Sequence, residues 1–104
     1  MKITRKDTNT IIQPTGRLDI NTSETLRQSV IEAFNHGAKT LLIDCREVTF
    51  LDSSGLSAMV MALKKARELN VPLSLYGLDE QAMILLRLTG MNKVFNILEE
   101  MPVA

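Results

Sequence analysis

Leu51-Asp52-Ser53-Ser54-Gly55-Leu56 joins two stretches of different periodicity. Before it, the run from Thr40 to Cys45 contains Leu41-Leu42-Ile43 without alternation, the pattern of a strand covered on both faces. After it, Leu56, Met59, Val60, Leu63 and Ala66 recur at helical spacing, which predicts an amphipathic helix to about Leu69. The junction therefore sets a carboxylate, two hydroxyls and a glycine at a helix N-terminus. Backbone N–H groups lack intrahelical partners there, and the helix dipole is positive. Such a place tolerates added negative charge, so Ser53 or Ser54 reads as a phosphorylation switch on a binding module. Asp52, Ser53 and Ser54 would serve equally well as plain helix caps. On a helical wheel Ser57, Lys64, Lys65 and Glu68 fall opposite the apolar stripe with Met61 among them, so Met61 is expected as an exposed apolar residue sharing a surface with the Ser53 end.

Outward from the junction, the pattern is that of one α/β domain. Lys2 to Lys6 and Thr10 to Thr15 flank the turn formers Asp7-Thr8-Asn9 and predict an opening hairpin, its second strand irregular or exposed near Pro14 and closed by Gly16. Asn21 with Glu24 three residues later fits a capping box. The helix it opens carries Leu26, Val30, Ala33 and Phe34 on one stripe and stops at Gly37. Asn70-Val71-Pro72 ends the second helix, and Leu73 to Tyr76 reads as another strand. Asp79 is an N-cap for a helix from about Glu80 to Thr89, with Gly90 as its stop. That last helix is apolar nearly all round, so it is either deeply buried or partly turned toward a partner. A short strand from Val94 to Leu98 precedes an acidic end.

Composition narrows the functional classes. The 104 residues, 45% of them apolar, suit a single domain over 1–104 without metals or disulfides. Twelve basic and twelve acidic residues cancel, and with one Tyr and no Trp no basic, aromatic surface for nucleic acid is expected. No apolar run approaches the roughly 20 residues of a membrane helix, and the N-terminus has no signal-peptide pattern, so a cytoplasmic protein without a membrane partner is expected. Cys45, the single cysteine, lies in the strand run and reads as a buried structural thiol.

Enzyme chemistry fits poorly. A hydrolase elbow needs glycine two residues before the serine, where Leu51 or Asp52 stands, and the single histidine, His36, falls at a helix end. One His and one Cys without paired spacing give no metal motif, and the glycines miss the phosphate-loop pattern. No catalytic residue, metal or cofactor is expected. A switch needs only a hydroxyl that a kinase can reach. Phosphate adds a charge of about −1.5 to −2, worth about 0.3–1 kcal/mol in the fold's favour near a helix N-terminus. It would act on association, where a dianion facing a surface shaped for a neutral hydroxyl is costly.

With Gly16-Arg17-Leu18-Asp19 and Val48-Thr49-Phe50-Leu51-Asp52-Ser53-Ser54-Gly55-Leu56, the chain resembles the STAS domains, and among them the stand-alone anti-sigma-factor antagonists of bacterial partner switching. The resemblance runs from the opening hairpin to about Leu98. It implies a mixed four- to five-stranded sheet flanked by helices, and an unphosphorylated form that binds an anti-sigma factor, itself an ATP-dependent serine kinase, so freeing the sigma factor. It implies phosphorylation at Ser53, reversed by a metal-dependent serine phosphatase, and a partner surface lined by Asp19, Asp52, Ser54 and Gly55, with Met61 added from the helical wheel. Arg17 and Pro14 depart from the family pattern, which often has an acidic residue and an apolar one there. The alternative is a STAS-type module of another signalling or transport assembly whose serine is never modified.

Overall fold

The computed structural model describes residues 1–102, and among these lie seven strands and three α-helices. The strands are β1 (Lys2–Lys6), β2 (Asn9–Gln13), β3 (Gly16–Leu18), β4 (Thr40–Asp44), β5 (Val48–Leu51), β6 (Leu73–Tyr76) and β7 (Asn96–Leu98). The helices are α1 (Ser23–Asn35), α2 (Ser53–Glu68) and α3 (Glu80–Thr89). Five strands form a mixed sheet in the order β1-β2-β4-β6-β7, with only the β1–β2 hairpin antiparallel. β3 and β5 pair in parallel as a separate two-stranded sheet, which the sequence reading did not separate out.

The hairpin forms where expected, with Asp7 in the left-handed region at φ 57°. Of the two alternatives for the end of β2, irregular or exposed, the first holds: the strand ends at Gln13, and Pro14 is fully buried. It has no N–H to continue the ladder, so β2 stops before it, and its ring packs inward instead. Gly16 then opens β3 and does not close β2, its N–H donating to the Glu47 carbonyl at 2.9 Å. The capping box expected at Asn21 and Glu24 does not form. Thr22 occupies the N-cap without a side-chain cap bond, because its hydroxyl donates to the Arg17 carbonyl at 2.7 Å and accepts from the Asp19 N–H at 3.0 Å.

Both α2 and α3 begin on aspartate caps as read from the sequence. Asp79 Oδ1 accepts from the Ala82 N–H at 2.9 Å, and Gly90 ends α3 in the left-handed conformation. Strand partners place Thr10, Ile12, Leu41, Ile43, Leu73 and Leu75 on one face of the main sheet. There the aliphatic members join Leu26, Val30 and Ala33 of α1, Met59, Ala62 and Ala66 of α2, and Leu86 of α3 in one core cluster. Ile11, Leu42, Ser74 and Leu98 lie on the opposite face, outside that cluster. The helices thus cover one side of the main sheet, and β4 is buried from Leu41 to Asp44.

Candidate functional site

The expected direct passage from the Thr40–Cys45 strand to α2 is interrupted by β5, and this extra strand sets the site's geometry. β5 lies parallel to β3 with Leu18 opposite Leu51, so the two chains emerge side by side: β3 into Asp19, β5 into Asp52. The Asp52 N–H donates to the Leu18 carbonyl at 3.3 Å, which ties the two exits together. Asp19 and the start of α2 are therefore neighbours.

Asp52 is held by its own helix. Its Oδ1 accepts from the N–H groups of Ser54 at 2.9 Å and Gly55 at 3.1 Å, satisfying two of the donors that the first turn leaves open. Ser53, the first residue of α2, is exposed, and its hydroxyl enters no hydrogen bond among the described residues. Ser54 is half-buried. Gly55 is buried against the β3 exit, where a Cβ would lie 2.3 Å from the Leu18 carbonyl oxygen and 2.8 Å from Leu51 Cδ1. Only a residue without a side chain lets the helix start this close.

The Asp19 loop is stiffened in the same manner. Asp19 Oδ1 accepts from the Asn21 N–H at 2.9 Å, and its backbone carbonyl accepts from the N–H groups of Thr22 and Ser23. Arg17 makes a 3.4 Å ion pair with Asp19 while its guanidinium lies 4.3 Å from the centre of the Phe50 ring, its partner across the β3–β5 ladder. Ile20, next in the chain, is 74% exposed.

Two features escaped the sequence reading. Gln81 of α3 pairs with the backbone of Leu51 through both ends of its amide, Nε2 donating to the carbonyl at 2.7 Å and Oε1 accepting from the N–H at 2.9 Å. This amide stands in for a strand partner on β5 and fixes α3 beside the site; no local pattern marks such a glutamine. The second concerns the exposed face of α2. Met61 is half-buried and Val60 is 38% exposed, the reverse of their expected places. α1 packs against α2, with Arg27 of α1 donating to Ser57 at 3.3 Å. Ser53, Ser57, Val60 and Lys64, spaced four, three and four residues apart, thus form the exposed stripe. On α3, Ile84 and Leu88 are exposed, Leu88 to 81%, so the nearly all-apolar helix is not deeply buried.

His36, the single histidine, caps the far end of α1, about 20 Å along the helix axis from the Asp19 loop at 1.5 Å per residue. Its Nδ1 lies 2.8 Å from the Glu32 carbonyl. Cys45 is buried, as expected, and burial with the nearby Asp44 and Asp79 charges pushes its thiol pKa up to about 12. Among the described residues no cluster of His, Cys, Asp and Glu could hold a metal ion, and no helix is long and apolar enough to cross a membrane.

The STAS domain model matches residues 1–102, and the chain belongs to that family. It is 30% identical over 98 residues to an anti-sigma-B factor antagonist of Listeria monocytogenes, an alignment covering 93% of this chain and 86% of the relative. Its fold is similar to that of an anti-sigma factor antagonist from Mycobacterium paratuberculosis, with a TM-score of 0.85 at 21% identity over 96% of this chain and 85% of that one. It is also similar to the Bacillus cell fate determinant SpoIIAA in its phosphorylated form, with a TM-score of 0.74 at 17% identity over 95% and 91% of the two chains.

Proposed function

We propose that this chain is a regulatory binding protein of the anti-sigma-factor-antagonist kind, without catalytic activity of its own and acting in the cytoplasm, away from nucleic acid and membranes. Its unphosphorylated form binds an anti-sigma factor that is also a serine kinase and so releases the sigma factor. Phosphorylation of Ser53 lowers that affinity, and a metal-dependent serine phosphatase restores it. The observation that carries the reading is the exposed Ser53 hydroxyl at the first position of α2, committed to no hydrogen bond among the described residues. Family membership and the antagonist names of its relatives support the same role.

On this reading Asp19, Asp52, Ser54 and Gly55 belong with Ser53 to the partner surface, Gly55 holding the helix start against β3, and Met61 lies at its margin. A phosphate on Ser53 would stand next to the Asp52 carboxylate at the positive end of α2, where the dipole favours it and the fold survives. A partner seated on the neutral hydroxyl would meet a dianion, and each 1.4 kcal/mol of repulsion is about tenfold in affinity.

The test is incubation with the cognate kinase and ATP, phosphosite mapping, and affinity measurements on wild type, Ser53→Ala and Ser53→Asp. Phosphate on Ser53 with weakened binding of Ser53→Asp supports the switch. An unmodified Ser53, or equal affinity of wild type and Ser53→Asp, would indicate a module of another assembly.

A further inference from the structure

The main sheet's uncovered face carries a pocket that the switch does not use. Across the strands a row runs Thr4, Ile11, Leu42, Ser74, Asn96, and the adjacent row runs Lys6, Asn9, Thr40. Ile11 and Leu42 form an apolar floor, Leu98, Pro72 and Pro102 supply apolar walls, and the enclosed volume is about 500 Å³. That volume falls within the roughly 300–1,000 Å³ range of small-molecule sites. Leu42 is only 7% exposed although no helix covers it, so this side is a recess and not a flat face.

Its polar groups are confined to the rim and largely occupied with one another. Thr40 donates to Asn9 at 2.6 Å and Asn96 to Ser74 at 2.8 Å. Lys6 differs: it lines the pocket and its ammonium enters no ion pair among the described residues. Elsewhere on this face Lys2 lies opposite Gln13, outside the pocket lining, and Asp44 with Arg46 is internally neutral at 2.8 Å and bridged to Gln13 at 3.2 Å. An apolar recess with one unpaired cation at its edge complements a molecule with an apolar body and a single anionic end. We infer that this recess binds a free medium-chain carboxylate, with its chain over Ile11, Leu42 and Leu98 and its carboxylate at Lys6. A flat or purely apolar partner would leave the Lys6 charge uncompensated, and a highly charged ligand would find no second cation among the lining residues.

The experiment is calorimetric titration of the whole chain with octanoate, decanoate and dodecanoate below their micelle concentrations, with methyl and amide chemical shifts followed in parallel. Affinity is expected to rise on the order of tenfold for each two added methylenes, with shifts centred on Ile11, Leu42 and Leu98 and none at Ser53. Lys6→Gln should weaken all three acids by a common factor without changing that slope. Thr4→Trp, which adds bulk at an exposed edge-strand position, should abolish binding while leaving thermal unfolding unchanged. Binding without chain-length dependence, shifts located elsewhere, or retention on anionic phosphatidylglycerol vesicles without uptake of the monomeric acids would overturn the inference.

Discussion

Gly55 and Leu18 are in closer contact than any side chain would permit: a methyl group on Gly55 would stand 2.3 Å from the Leu18 carbonyl oxygen. The atom in its way is backbone and cannot rotate aside. The first turn of α2, with Ser53 on it, is therefore positioned by β3, whose next residue is Asp19.

Gly55→Ala should destabilise the fold by about 1–3 kcal/mol through this overpacking, more than the gain from alanine's better helix propensity. Urea unfolding measures the loss. Amide shifts of residues 18–22 and 52–56 should move together, since helix and strand exit part at this contact.

Asp52→Ala should cost about 0.5–2 kcal/mol by leaving the N–H groups of Ser54 and Gly55 uncapped, whereas Asp52→Asn should retain most of the stability. Comparison of the two variants by denaturant titration at pH 7 separates capping from charge.

Ser53→Asp should change stability by no more than about 0.5 kcal/mol, because the substituted position is exposed and the added charge sits at the favourable end of α2. An unchanged melting temperature together with reduced partner affinity is the signature of a switch acting on association. Val60→Glu, on the same exposed stripe, should likewise weaken the partner while leaving unfolding unaltered.

Arg46→Met should invert the acid response of the fold. Burial raises the pKa of Asp44, but side-chain and backbone hydrogen bonds from Arg46, with its charge, outweigh this and hold the carboxyl below the ordinary carboxylate value. The wild-type contribution is thus present above the unfolded-state value of about 3.9 and lost as pH falls through the lower native value. Without the guanidinium, burial dominates and the native pKa moves above the unfolded one, so protonation favours the variant's folded form. The urea midpoint of Arg46→Met should lie below wild type at pH 7, and the deficit should narrow on acidification toward pH 4.

Cys45 should resist aromatic disulfide reagents in the native state at pH 8, since burial keeps its thiol protonated up to about pH 12. Labelling should follow the rate of opening, and saturate in denaturant.

The local signals in this chain were readable because each depends on neighbours in sequence. The aspartate caps of α2 and α3, the Gly90 stop, the buried run of β4 and the β1–β2 hairpin follow from residue chemistry and periodicity over a few positions. So did the pairing of a carboxylate with exposed serine at a helix start. The boundaries that shifted are those where a distant partner competes for the same group. Thr22, not Asn21, takes the N-cap of α1 and binds the Arg17 carbonyl, and Pro14 turns inward where the ladder ends.

Legible within single segments are the β1–β2 hairpin, β4, β6 and the three helices, together with a pair of hydroxyls at the start of α2, because helix and strand periods and cap chemistry are local; the choice of Ser53 over Ser54 rests on the family resemblance. Tertiary structure alone decided that β3 and β5 leave the main sheet as a pair, that Gln81 closes the outer edge of β5, that Val60 and not Met61 faces outward, and that one side of the main sheet is left as a recess. Each of these depends on which residues far apart in the chain compete for the same hydrogen bonds and apolar area, and periodicity along one segment carries no record of that competition.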